Sequence, residues 1–288
     1  MQHLKSAKAL ALATACVAAL TGSAFADPDL SAELIIDGEL HINTRAPSNP
    51  AITPYLTELY SGWLYRDPTT RELQMDDFEN PGMLAVEAGA AAWETVEGTA
   101  GQSCMDCHGD ASESMRGVRA TLPRVNGEGR LMTLEDHVNN CRTERMGAEA
   151  YGYNSQPMRQ MVAHISMQSR GMPVNVAIDG PAAPFWEQGR DMYYTRFGQL
   201  EMSCATCHED SAGSYIRSDH LSQGQINGFP VYRLKDQNVV GVHGRFVGCV
   251  RDTRAETFRA GSDEFRALEL YVASRGNGLA VEGVSVRH

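Results

Sequence analysis

The chain has 288 residues, 42% of them hydrophobic and 21% charged, an ordinary globular composition that excludes disorder and collagen-like repeats. Its 25 basic against 36 acidic residues give a formal charge of −11, which argues against nucleic acid as a partner. Length predicts one or two domains, and 27 glycines with 12 prolines predict many turns.

Residues 1–26 read as a secretory signal: Lys5 and Lys8, an apolar run from Ala9 to Leu20, and Ala24-Phe25-Ala26 as a small-residue cleavage site before Asp27. The run is well short of the roughly 20 residues that span a bilayer, and no later segment is long enough, so no membrane span is expected. Cleavage removes Cys16 and two lysines, leaving 23 basic and 36 acidic residues, a charge of −13, in an exported, periplasmic protein.

Residues 27–80 form an extension without a cofactor motif. Ile35-Ile36 and His41-Ile42 read as short strands, and Tyr60 to Tyr65 is an aromatic cluster without an assigned role.

Six cysteines remain: Cys104, Cys107, Cys141, Cys204, Cys207 and Cys249. In an oxidising compartment three disulfides would be the default. Four of the six instead fall into Cys104-Met-Asp-Cys107-His108 and Cys204-Ala-Thr-Cys207-His208, the pattern of c-type haem attachment. Two thiols three positions apart can bond both vinyl groups of one haem, and the adjacent histidine becomes the proximal iron ligand. Paired zinc knuckles would lie roughly 15–20 residues apart, whereas these motifs are 100 apart. Two covalent haem c groups are therefore expected, held by Cys104, Cys107, Cys204 and Cys207 with His108 and His208 on iron.

The same offset aligns Glu87-Ala88-Gly89 with Glu187-Gln188-Gly189, Trp93 with Tyr193 and Ser103 with Ser203, so the chain contains a duplication. A glycine four residues before an aromatic predicts a helix packed closely on a partner helix. Each copy closes with such a partner: Met158, Met161, Val162 and Ile165 form one stripe, Phe265, Leu268 and Val272 another, with Ser262 as cap. Ser169-Arg170-Gly171 and Ser274-Arg275-Gly276 match at an offset of 105. The stripes, methionines included, read as core. The expected fold is mainly α: two tandem class I cytochrome c-like domains at 81–178 and 186–288, a linker at 179–185, and the N-terminal extension.

Class I cytochromes usually place Met opposite the proximal His. All 13 methionines lie at or before Met202, so the second copy needs another sixth ligand. His220, His243, Lys235 and Cys249 are the candidates. Cys141 lies 37 residues after Cys104 and Cys249 lies 45 after Cys204, each before a charged stretch, and they read as equivalent axial thiolates. A Cys141–Cys249 disulfide is the alternative, and needs Cα atoms about 4.4–6.8 Å apart.

With these motifs, with Asn140-Cys141-Arg142-Thr143-Glu144-Arg145-Met146, with Arg245-Phe246-Val247-Gly248-Cys249-Val250-Arg251-Asp252-Thr253-Arg254, and with the run from Leu221 to Pro230, the chain resembles the SoxA family. SoxA proteins are the larger subunits of the SoxAX c-type cytochromes of thiosulfate-oxidising bacteria. The resemblance implies a periplasmic L-cysteine S-thiosulfotransferase that joins thiosulfate to a cysteine of a sulfur-carrier protein and passes electrons to cytochrome c. It implies a smaller monohaem cytochrome c subunit as partner, Cys249 as catalytic persulfide and haem ligand, and Arg245 as a substrate contact. The retained first motif corresponds to the dihaem form. Arg245, Arg251 and Arg254 bracket Cys249, a local cation cluster suited to a dianion in an acidic chain. A dihaem electron carrier without sulfur chemistry is the alternative function, and a peroxidase-like haem with an open sixth position is a third.

Intact-mass analysis of the exported protein is expected to show a chain beginning at Asp27 plus two haems. A single haem, or retention of residues 1–26, overturns the corresponding half.

Overall fold

The computed structural model describes residues 27–217 and 219–288, so the signal segment and Cys16 lie outside the described residues. The described chain is mainly helical. The extension holds two hairpins, β1 (Leu34–Ile36) with β2 (Leu40–Ile42) and β3 (Arg45–Pro47) with β4 (Glu58–Tyr60), followed by α1 (Pro68–Met75). The strands expected at Ile35-Ile36 and His41-Ile42 are the first of these pairs. The aromatic cluster is a 3-10 turn, Gly62–Tyr65, whose Trp63, Leu64 and Tyr65 are buried.

The first copy runs through α2 (Met83–Glu94), α3 (Cys104–His108), α4 (Ala111–Ser114), the hairpin β5 (Arg124–Val125) and β6 (Leu131–Met132), α5 (Leu134–Glu144) and α6 (Gln156–Met167). The second has α7 (Ala183–Tyr194), α8 (Cys204–His208), the hairpin β7 (Tyr215–Ile216) and β8 (Asp219–His220), β9 (Val231–Arg233), β10 (Asn238–Val240), α9 (Val242–Asp252), α10 (Asp263–Arg275) and β11 (Ser285–Arg287). The antiparallel pair β9–β10 and the parallel pair β9–β11 make one small sheet that the hydrophobic periodicity does not announce. The segment expected as a linker is a 3-10 turn, Gly180–Ala182, that runs straight into α7. Pro184 sits in the first turn of that helix, where its missing N–H costs nothing.

The glycine–aromatic pattern does what the duplication predicts. A Cβ on Gly89 would lie 2.1 Å from Gln160 O, and one on Gly189 would lie 2.0 Å from Ala267 O. Only hydrogen fits, so α2 crosses α6 and α7 crosses α10 at backbone contact. These crossings equate Gln160 with Ala267, 107 residues apart, and put Met158, Met161 and Ile165 in register with Phe265, Leu268 and Val272. All six are buried, so the stripes are core. The Ser-Arg-Gly match at 105 is therefore out of register by two positions. Its arginines differ in role: Arg170 makes a bidentate pair with Asp77 at 2.7 Å, whereas Arg275 pairs with Glu209 inside the second copy.

The halves interlock rather than abut. After α10 the chain returns beside the segment that closes the first copy, with hydrogen bonds from Val174 N to Leu279 O (2.9 Å) and from Gly171 N to Val281 O (2.8 Å). It then enters the sheet as β11, under the extension. Glu282 anchors this meeting point. Fully buried, it accepts hydrogen bonds from Ser61, from Gln74 Nε2 (2.8 Å) and from Arg287 Nη2 (2.7 Å). Burial would raise its carboxyl, but the Arg287 charge and these donors outweigh burial and hold it below the usual range.

Gly189→Ala and Gly89→Ala are expected to cost about 1–3 kcal/mol or more in denaturant melts, through overpacking, while Gly127→Ala, with open space at its Cβ, changes stability by less than about 0.5 kcal/mol. Equal, small effects at all three sites would refute the crossings.

Candidate active site

Each haem-type motif occupies one turn of helix, so the two cysteines, three positions apart, share a face. A capping box sets each turn. Ser103 Oγ accepts from Asp106 N (3.1 Å) and Asp106 accepts from Ser103 N (2.7 Å); Ser203 and Thr206 repeat the arrangement at 3.1 and 3.2 Å. The bridges Glu97–Gln102 and Phe197–Met202 precede the two turns at the same offset of 100.

The turns are held differently on the side facing the terminal helices. In the first copy Trp93 Nε1 donates to Gly109 O at 3.0 Å, and its ring lies 5.7 Å from that of His108. In the second, residue 209 is glutamate, and its partner Arg275 is buried with its guanidinium 4.4 Å from the Tyr193 ring centroid.

His208 is enclosed, with its Nδ1 2.8 Å from Ser222 O. A carbonyl can only accept, so Nδ1 carries the proton and Nε2 keeps the lone pair that a metal needs. Burial, aided by the charges of Arg245 and Arg275, pushes this imidazole down to about 4 and keeps it neutral at neutral pH. The loop from Leu221 to Pro230 packs over it. Gly224 has φ +77°, and a Cβ there would meet His208 Cγ at 2.7 Å. Gln223 ties the same loop to the extension, accepting from Tyr60 N (2.9 Å) and donating to Glu58 O (3.1 Å).

Cys141 and Cys249 are each the eighth residue of an eleven-residue helix, α5 and α9. The six cysteines among the described residues are all free, and each of these two lies with its own motif. Burial, then the nearby Cys141, raises the Cys104 thiol. Burial, then Cys249, pushes Cys204 up to about 12 and raises Cys207 as well. The ends of the two helices are gripped alike: a Cβ on Gly98 would strike Met146 O at 2.2 Å, and one on Gly198 would strike Thr253 O at 2.2 Å.

The other ligand candidates of the second copy face elsewhere. His243 is buried, accepting from Gly261 N at 2.9 Å through Nδ1. His220 bonds Gly213 O through Nδ1 at 2.9 Å, and Lys235 is exposed. Of the four, Cys249 is the one whose charge reaches both motif cysteines.

Arg245 lies one helical turn before Cys249. It folds back so that its Nη1 is 4.0 Å from a Cβ position on Gly248, and its charge acts on Cys207 and His208. Arg251 and Arg254 are exposed. Sequence reasoning missed Arg233, on β9. Burial first and then Arg245 lower its guanidinium, while Asp236, at 2.7 Å, and Cys249 oppose them. No linear signal marks Arg233, because only the pairing of β9 with β10 and β11 brings it beside α9. In the first copy Arg142 pairs with Glu97 at 2.6 Å and lies 3.5 Å over the Tyr151 ring, while the exposed Arg145 acts on Cys141.

The donor set fits two haem c groups, with Cys104, Cys107 and His108 for one, Cys204, Cys207 and His208 for the other, and a cysteine on a separate helix beside each. Comparison with known proteins supports a haem c protein. The family model described as SoxA/TsdA, cytochrome c domain, matches residues 88–174 and 188–281. The chain belongs to the SoxA family. It is 57% identical to the L-cysteine S-thiosulfotransferase subunit SoxA of Paracoccus pantotrophus over all of both chains, and 54% identical to that of Rhodovulum sulfidophilum over 97% of each. The crystal structure of SoxXA from P. pantotrophus superposes with a TM-score of 0.87 at 58% identity, covering 90% of this chain and all of that one.

Gly224→Ala is expected to shift the absorbance and reduction potential of the haem at Cys204 and Cys207 and leave the other haem unchanged. An unaltered spectrum would show that the loop does not set the His208 position.

Proposed function

We propose that this SoxA-family chain is the haem-bearing, thiosulfate-oxidising subunit of an L-cysteine S-thiosulfotransferase. It carries two haem c groups in two cytochrome c-like halves and pairs with a smaller monohaem cytochrome c subunit in the periplasm. The names of its relatives support this, and among the described residues no helix is long and apolar enough to cross a membrane. The single observation that carries the site assignment is Cys249 beside Cys204 and Cys207 with two guanidinium groups, Arg245 and Arg233, in electrostatic reach.

In this reading Cys249, as a persulfide, is both haem ligand and reactive sulfur. Thiosulfate is a dianion, and Arg245 holds its sulfonate end by charge-assisted hydrogen bonds. The outer sulfur of thiosulfate bonds to the persulfide sulfur of Cys249 as two electrons pass to cytochrome c. The carrier-protein thiol, losing its proton to solvent, then attacks that thiosulfate sulfur, taking the S–SO3 group and leaving the Cys249 persulfide restored. Haem iron at this position supplies an electron acceptor next to the sulfur. The neutral His208 keeps Nε2 free for a metal. Cys141 takes the corresponding ligand position of the first half, where Arg145 acts on it and Arg142 is held by Glu97 and Tyr151.

Cys249→Ala is expected to abolish turnover with carrier protein and acceptor present while both haems stay attached, and the Cys249 peptide of the parent protein carries one extra sulfur, about 32 Da. Arg245→Ala keeps both haems and raises KM for thiosulfate by about tenfold or more, the loss of a charge-assisted contact. Full activity in Cys249→Ala would leave a dihaem electron carrier as the function.

Cys141→Met is expected to change the spectrum and raise the potential of the first haem alone, since a thiolate gives way to a neutral thioether. An unchanged first-haem spectrum would exclude Cys141 as its ligand.

A further inference from the structure

Between the two halves lies a buried acidic cluster that the thiosulfate chemistry does not use. Glu135 is the second residue of α5 and His243 the second residue of α9, the helices whose eighth residues are Cys141 and Cys249. Both are buried, as is Glu269 of α10, which replaces Val162 of the first copy in the register set by the helix crossings. Glu135, Val162 and Glu269 line one cavity of about 10 Å³, close to the space one water needs. The N-terminal ends of the two cysteine helices thus converge on one buried site. Each cysteine lies six residues further along its helix, a rise of about 9 Å.

The polar accounting at this site does not close. His243 Nδ1 accepts from Gly261 N, which fixes the imidazole proton on Nε2. Nε2 is 3.1 Å from Glu269 Oε2, but out of line, so neither buried atom has an aligned hydrogen bond. Tyr153 stacks on the imidazole at 4.8 Å and donates nothing to the carboxylates, since its hydroxyl meets Thr133. Asp136 is occupied by Arg266 at 2.6 and 2.7 Å. Glu135 therefore faces Glu269 from α10, His243 from α9, Tyr153 from the loop before α6, and a single buried cation, Arg119, from the 3-10 turn Arg119–Thr121. Two carboxylates against one guanidinium, away from water, are costly when both are ionised.

We propose that Glu135, His243 and Glu269 are positioning residues for Cys141 and Cys249, and that one proton held between the two carboxyl groups sets how the two cysteine helices meet. Burial and then the Glu269 charge push the Glu135 carboxyl up to about 7, against the opposing effects of His243 and Arg119. Below that pH Glu135 holds the proton. Above it two negative charges face each other at the start of both helices, and the cysteines at their far ends shift together. A merely structural cluster would hold the helices but would give the haem spectra no titration. The inference rests on the proposal that both cysteines ligate haem iron.

The test is a pH titration of the ferric dihaem chain in complex with its smaller subunit, followed by electron paramagnetic resonance and absorbance between roughly pH 5 and 9. Parent protein is expected to show a change in its thiolate-ligated low-spin signals with a midpoint near neutrality. Glu135→Gln removes it. Glu269→Gln takes away the like charge and moves it down by about one pH unit or more. Thiolate signals that stay constant with pH, or a midpoint unmoved in both variants, overturn the proposal, whereas absence of thiolate signals at every pH overturns the ligand assignment instead.

Folding gives a second readout that does not depend on the haem signals. An unfolded glutamate titrates near 4.5 and the folded Glu135 near 7, so the unfolded state loses its proton first as pH rises. The parent protein is thereby destabilised across that window relative to Glu135→Gln, and level above it. Parallel melting curves for the two proteins from about pH 4 to 8 overturn the shared proton even if the variant spectra are unreadable.

Discussion

The arrangement of both halves depends on two backbone crossings, α2 over α6 at Gly89 and α7 over α10 at Gly189. At these points a carbonyl oxygen fills the volume a side chain would need. Close approach fixes the angle and height of each terminal helix pair, and with it the aromatic, Trp93 or Tyr193, one turn beyond the glycine. In the first copy that aromatic meets the end of the cysteine motif turn, at His108 and Gly109. The second set of contacts, Gly98 on Met146 and Gly198 on Thr253, grips the end of each cysteine helix by the same device. Glycine is needed because backbone, not side chain, is the partner.

On this repeated frame the halves diverge through a few substitutions. Where the first has Gly109 and a tryptophan hydrogen bond, the second has Glu209 neutralised by buried Arg275. Where the first has Arg142 locked between Glu97 and Tyr151, the second has apolar Val250. Its guanidinium groups, Arg245 and Arg233, stand instead on the side of Cys249. The first half thus commits Arg142 to structural contacts, whereas the second sets two guanidinium groups around its cysteines. The extension belongs to this second half: through Gln223 and Glu282 it braces the loop that encloses His208 and the strand that closes the chain.

Burial tunes the groups of the site in opposite senses. His208 is kept neutral by burial and by the Arg245 and Arg275 charges, which outweigh the Ser222 carbonyl's preference for the charged form. Glu282, fully buried, stays ionised because Arg287 and several donors do answer. Glu135 lies between these cases, with a like charge and one cation in view.

Local chemistry was legible in the chain. The two Cys-x-x-Cys-His motifs, the glycine–aromatic pairs, the capping Ser262 and the buried stripes of Met158 and Phe265 all act over one or two helical turns, and periodicity reports that range. The equivalence of Cys141 and Cys249 was legible too, because a duplication preserves order even where loop lengths drift from 37 to 45 residues. What only the tertiary structure decided has partners far apart in sequence. Arg233 reaches Cys249 through a sheet of three short strands, the extension reaches His208 through Gln223, and Glu135 meets Glu269 because the start of α5 packs against the middle of α10. The register of the terminal helices was likewise decided by a steric contact, Gly189 on Ala267, and not by the Ser-Arg-Gly match, since backbone volume constrains packing where a tripeptide does not.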